Sequence, residues 1–242
     1  MMTSSDPITY DAYVEYGVDG LYTAQLLDLL GCYARGENEA EALQRLDDAI
    51  PAYYDWLRSH DDYTPIVKEP FAVRRAELVA AKADGSPWNG VFFENDALPM
   101  GDDDLDWTLA ILTWAYDDFL ALLQRIPRER LAQPMTSEQH KGITPMSALE
   151  YALALQTACL SYVSEPPTQP PTPPEAIAHD VVARVGWARD AILTRLREAT
   201  DDERTLVHEV DGERWSLRKI ARTSILIARI TTDVIAQGVS AI

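Results

Sequence analysis

A chain of 242 residues with ordinary apolar content can bury one large core or two smaller ones. Its formal net charge of -18 disfavours direct nucleic-acid binding, because phosphate backbones are held by Lys and Arg that displace counterions. No stretch approaches the ~20 uninterrupted apolar residues of a membrane-spanning helix, and MMTSSDPITY carries no basic-then-apolar secretory pattern. Cys32 and Cys159 are the only cysteines, so reduced thiols and a cytoplasmic location are expected.

Ile8, Tyr10, Ala12, Val14 and Tyr16 alternate with polar or aromatic neighbours, the period of a half-buried strand. Gly17 to Gly20 reads as a turn with the hairpin dipeptide Asp19-Gly20. Leu21 to Leu27 gives a second strand and Gly31 to Gly36 a third. Asn38, with Glu41 three residues on, has the form of a helix N-cap and its reciprocal carboxylate. The helix that follows gathers Ala42, Leu46, Ala49, Ile50, Tyr53 and Leu57 on one face. Pro51 lies inside it, where a lost backbone hydrogen bond costs about 3 kcal/mol, so a kink or break is expected.

The run GLYTAQLLDLLGCYARGENEAEALQRLDDAI resembles the HicB-like antitoxin domain. Its strand, its D-L-x-G-C corner, its second strand and the E-A-L that opens the helix agree in type and spacing. The resemblance implies a small three-stranded sheet with one helix across it and a further strand. In toxin–antitoxin pairs such a domain occludes a small RNase toxin, which implies a basic protein partner here. No helix-turn-helix or ribbon-helix-helix pattern is visible, so operator binding is not expected.

Phe71 to Lys82 mixes helix-favouring alanines with Val73 and Val79; a strand is preferred. Asp84 to Pro87 reads as a turn and Val91 to Phe93 as another strand, both strands extending the first sheet. The domain boundary is expected near Met100 and Gly101, giving residues 1–100 and 101–242. Asp102, Asp103 and Asp104 then suit the start of a helix, where carboxylates complement the dipole. That helix runs to Ile126, with Leu105, Leu109, Leu112, Tyr116, Phe119, Leu123 and Ile126 inward. A second helix covers Pro145 to Val163 and a third Glu175 to Ala199. Between them SEPPTQPPTPP is a stiff extended crossover.

The last helix spans Gly212 to Gln237 and is apolar over much more than a third of its circumference. Leu217, Ala221, Ser224, Ala228, Thr231 and Ile235 form one stripe, which Ile220, Ile225, Leu226, Ile227 and Ile230 widen. Such a helix needs more than one neighbour, the place of an inner bundle member. The fold class is therefore α+β: a small antiparallel sheet with a packed helix, followed by an all-α four-helix bundle.

Four such helices, with GERWSLRKI leading into the last, resemble the DinB/YfiT-like bundle superfamily over Leu105 to Gln237. The resemblance implies a divalent metal held by three histidines, one on the second helix and two at i, i+4 on the fourth. Here Tyr151, Ile227 and Thr231 fall at those positions. Isoleucine has no donor, a threonine hydroxyl is a poor one, and a phenol must first lose a proton with a pKa near ~10. No metal and no cofactor are expected. A dry pocket from Tyr151, Gln156, Ile227 and Thr231 is the candidate that replaces the metal seat.

His60, His140, His179 and His208 form no i, i+4 pair and read as surface or loop residues. Cys159 reads as a small core residue, Trp215 as a packing anchor, and Arg218, Arg222 and Arg229 as salt-bridge partners. No catalytic constellation emerges. The favoured reading is a non-enzymatic binding or scaffold protein that self-associates as a homodimer through apolar surface at Leu226 and Ile230. The alternative is a thiol-dependent transferase or isomerase of the DinB-like class with a site remodelled around Tyr151.

Overall fold

The computed structural model describes residues 8–17, 19–61, 70–81, 91–135 and 142–240. The chain is α+β and divides into two compact units, Met1–Asn95 and Asp96–Ile242. The turn expected at Asp84 to Pro87 and His140 lie outside the described residues.

In the first unit, strands β1 (Ile8–Tyr16), β2 (Tyr22–Leu26) and β3 (Cys32–Gly36) lead into helix α1 (Glu39–His60) and strand β4 (Phe71–Ala80). The sheet order is β3-β2-β1-β4. β1 pairs antiparallel with β2, β2 antiparallel with β3, and β4 parallel with β1. The sheet is therefore mixed, not antiparallel as expected. The cause is α1: its 22 residues carry the chain back ~33 Å, so β4 starts again in the direction of β3.

Asn38 caps α1 by accepting from the Glu41 N–H at 3.0 Å. The Glu41 carboxylate reaches back to the N–H of Glu37 at 2.8 Å, one residue earlier than the usual reciprocal cap. Ala42, Leu46, Ile50, Tyr53 and Leu57 are the buried face of α1. The sheet residues on that side are small or aliphatic: Ala12, Val14, Ala24, Leu26, Cys32 and Ala34. Gly36 has to be glycine, because a Cβ there would stand 2.6 Å from the Ala42 nitrogen. Pro51 does not break the helix, which runs unbroken past it.

Val91–Phe93 is not a strand. It is irregular chain leading into a 3-10 turn at Glu94–Ala97, and Phe93 packs edge-on against Tyr13 at 5.4 Å. The apolar run that suggested a strand serves packing, not ladder pairing.

In the second unit, the long helices are α2 (Asp102–Arg125), α4 (Pro145–Cys159), α5 (Val181–Arg197) and α7 (Leu217–Ser240). Short helices α3 (Arg128–Leu131) and α6 (Asp201–Thr205) and a hairpin of β5 (Val207–Val210) and β6 (Glu213–Ser216) connect them. α7 packs against α2 and α4, and α5 packs against the same two, so the four form a ring. Side-chain bonds set the directions. Asp104 meets Arg218, so α2 and α7 start at the same end. Glu150 meets Arg184 at 2.7 Å, so α4 and α5 also start together. Arg128 with Asp180 and Arg189 with Asp117 make α2 and α5 antiparallel.

Parallel α4 and α5 require the chain to travel the bundle's length between them. Six prolines between Ser164 and Pro174 supply that extended return, at ~3.1 Å per residue. Several helix boundaries differ from the expected ones. α4 tightens at Cys159 into a 3-10 turn, Leu160–Tyr162. α5 starts at Val181, where Asp180 accepts from the N–H groups of Val182 and Ala183; a separate 3-10 turn covers Glu175–Ile177.

α7 begins at Leu217, because Gly212 to Ser216 belongs to the hairpin. Asp211 and Gly212 both take positive φ (53° and 76°), the two-residue turn that suits a twisted hairpin. Near the far end of α7, Gly238 lets the helix meet Met135, since a Cβ there would run into the thioether sulfur.

Candidate functional site

A gathering of reactive side chains lies where β6 turns into α7. Ser216 Oγ accepts from the Lys219 N–H at 3.1 Å and so starts the helix. This places Lys219 back over the hairpin, with 0% exposure. Its Nζ donates to Glu213 Oε1 at 2.6 Å and to the Arg214 carbonyl at 2.9 Å, and lies 4.0 Å from the centre of the Trp215 ring. Tyr162 stacks on Trp215 at 4.2 Å and 15°. The ammonium is thus met by a carboxylate, a carbonyl and an aromatic face. Burial pulls the Lys219 pKa down, and Glu213 opposes that pull.

Cys159 and Tyr116 belong to the same interior. Burial pushes the Cys159 thiol up to about 12, and the Tyr116 phenol well above its ordinary range. Neither is ionised at neutral pH, so neither is a ready nucleophile or base. The Tyr116 Oη has no hydrogen-bond partner among the described residues.

His208 differs from expectation. It is not a surface residue: it sits on β5 directly opposite Trp215, 7% exposed, with neither ring nitrogen hydrogen-bonded among the described residues. Burial lowers its pKa, and the Glu165 charge opposes this. Sequence reading missed the position because it placed no hairpin before α7; the Asp211-Gly212 dipeptide was the available signal. His60 lies at the end of α1, edge-on to Trp56 at 5.3 Å, and His179 is exposed in a turn.

The arginines of α7 act as ties. Arg222 forms a buried double hydrogen bond to Asp96, 3.0 Å from Nε and 2.7 Å from Nη2. Arg218 bonds Asp104 and donates to the carbonyls of Leu98 and Pro99. Arg204 meets Asp102, so two of the three aspartates at the start of α2 are engaged in ion pairs.

The candidate pocket residues do not come together as one lining. Tyr151 is 59% exposed, whereas Gln156, five residues on along α4, is buried and donates weakly to the Ser224 carbonyl at 3.4 Å. The interior face of α4 is Leu149, Ala152, Leu153, Gln156 and Cys159, and Tyr151 lies off it. On α7, Ile227 is half-buried and Thr231 buried. These three side chains do not fit a divalent ion: the phenol points away from the interior, Ile227 has no donor, and the Thr231 hydroxyl is a weak one. Among the described residues no cluster of three His, Cys, Asp or Glu has the arrangement to hold a metal, and no helix is long and apolar enough to cross a membrane.

The first unit is a small α+β domain, a sheet crossed by one helix with a parallel fourth strand. UPF0150 protein Ta0767 of Thermoplasma acidophilum is 32% identical over 56 residues, 23% of this chain and 81% of that protein. The chain belongs to the UPF0150 family through this N-terminal, HicB-like part. No family model matches the chain. No solved structure matches it significantly.

Proposed function

We propose that the chain is a non-enzymatic binding protein. Its HicB-like unit takes a small basic protein, in the manner of an antitoxin holding an RNase toxin, and its helical unit is a DinB-like bundle without a metal seat. The observation that carries this reading is the state of the chemical groups at the start of α7. Lys219 is fully committed to Glu213, Arg214 and Trp215, and the Cys159 thiol is held protonated by burial. Lys219 is spent on fixing the hairpin to the start of α7. The charge of -18 adds a long-range attraction for a cationic protein, which raises encounter rates.

Affinity purification of the full chain from its native host, followed by native mass spectrometry, tests this. The expected result is a complex containing one small basic protein that is lost at high salt. Recovery of the chain alone, or only as its own multimers, contradicts the partner.

A further inference from the structure

β4 is ten residues long and stands at the end of the sheet. One side of its backbone is bonded to β1; among the described residues no strand pairs with the other. Ala72, Arg74, Arg75, Ala76, Leu78 and Ala80 are exposed, Leu78 at 43% and the Arg74 side chain at 69%. A long open edge of this kind is a template for another strand.

A bulge decides which strand fits. Arg75 stands beside Ala12 and Glu77 beside Tyr13, so Ala76 is the extra residue. Without it, Arg74 and Glu77 would project to opposite faces. With it, Val73, Arg75 and Leu78 share the face of Ala12 and Val14, and Ala72, Arg74, Glu77 and Val79 share the other. The Arg75 bond to Glu39 of α1, and the Arg74 bond to Asp11, agree with this division.

The shifted pattern is self-complementary. Consider a second β4 running antiparallel about a two-fold axis between Arg75 and Ala76. Arg74 then stands opposite Glu77 of the partner subunit, and Val73 opposite Leu78 of the partner subunit, each pair on one face. Both charged groups have capacity for this. Arg74 gives Nε and Nη2 to Asp11, leaving Nη1 for a second carboxylate. Among the described residues Glu77 accepts from the Glu94 N–H through Oε2, so its second oxygen can take another donor. The segment also carries two arginines against one glutamate, which locally offsets the self-repulsion of a chain of -18.

We propose that two copies of the chain associate edge to edge through β4, forming one continuous sheet across a two-fold axis. The residues involved are not the α7 residues Leu226 and Ile230, which are half-buried. The proposal needs no toxin-like partner and is tested on purified protein alone.

Sedimentation equilibrium on the full chain and on Arg74→Glu and Glu77→Arg is the experiment, with circular dichroism confirming that each is folded. The wild type is expected to be dimeric. Each variant puts two like-charge pairs across the axis and is expected to weaken the dimer roughly tenfold. Mixing the two variants in equal amounts sets the paired carboxylates of one protomer opposite the paired guanidiniums of the other. That mixture is expected to restore the dimer as a heterodimer. A monomeric wild type, a dimer indifferent to both substitutions, or no recovery on mixing each overturns the proposal. Hydrogen exchange gives a readout that needs no variant: protection of Phe71–Ala80 should rise with concentration, and exchange independent of concentration also overturns it.

Discussion

Lys219 shows how a single residue can be costly and yet fixed in place. An ammonium with no exposure has lost its hydration, so its charge depends on Glu213, the Arg214 carbonyl and the Trp215 ring. Breaking a buried pair from one side is worse than removing the charge that is buried deeper. Glu213→Ala is therefore expected to cost about 3 kcal/mol in urea unfolding, and Lys219→Met distinctly less, since Met keeps the stem and leaves Glu213 partly exposed to water. Equal losses would show that the ammonium is hydrated after all. The Arg222–Asp96 pair, 5% and 2% exposed, follows the same rule: Asp96→Ala should cost roughly 3–5 kcal/mol. His208 adds a pH dependence. Its folded pKa lies below the ordinary value, so as pH falls below about 6.5 the unfolded chain takes up a proton that the folded chain resists. Stability present above that pH is lost as pH falls toward the folded value. Asp180 and Glu203 are also held low, but they titrate in more acid solution and leave this window clear. Denaturation at pH values of about 7.5 and about 5.5, either side of the ordinary histidine pKa, should show a larger loss for wild type than for His208→Leu; parallel losses would contradict the burial.

Elements whose signals are local could be read from the sequence. β1 follows from its alternation, α1 from Asn38 and its apolar face, and the crossover from its prolines. What could not be read is set by distant parts of the chain. Nothing in FAVRRAELVA says that it runs parallel to β1; that follows from the helix before it. The hairpin before α7 had a local signal in Asp211-Gly212, but the periodic apolar pattern of the helix extends visually across it. Gly212→Ala tests the turn: at φ 76° a side chain is strained, so the variant should lose about 1 kcal/mol by urea unfolding. A silent substitution would mean the turn adopts another form. The candidate pocket fared as it did for a related reason. Family-like spacing on α4 located Tyr151, but the rotation of α4 in the bundle buries Ala152, Leu153 and Gln156 and leaves Tyr151 in water.

At the scale of the molecule, two units with different physical characters share one chain. The first is a small mixed sheet crossed by a helix, with an open strand at its edge. The second is a ring of four helices held at one end by Arg222 with Asp96, Arg218 with Asp104 and Lys219 with Glu213. In the proposed reading, the interior of this ring is packed support without a metal seat. Hydrocarbon and a weak hydroxyl stand at Ile227 and Thr231, and the Tyr151 phenol faces solvent. Elemental analysis of the full chain, purified without chelators, tests this most directly. Less than about a tenth of a divalent transition metal per chain is expected, whereas one zinc, nickel or manganese per chain would overturn the reading.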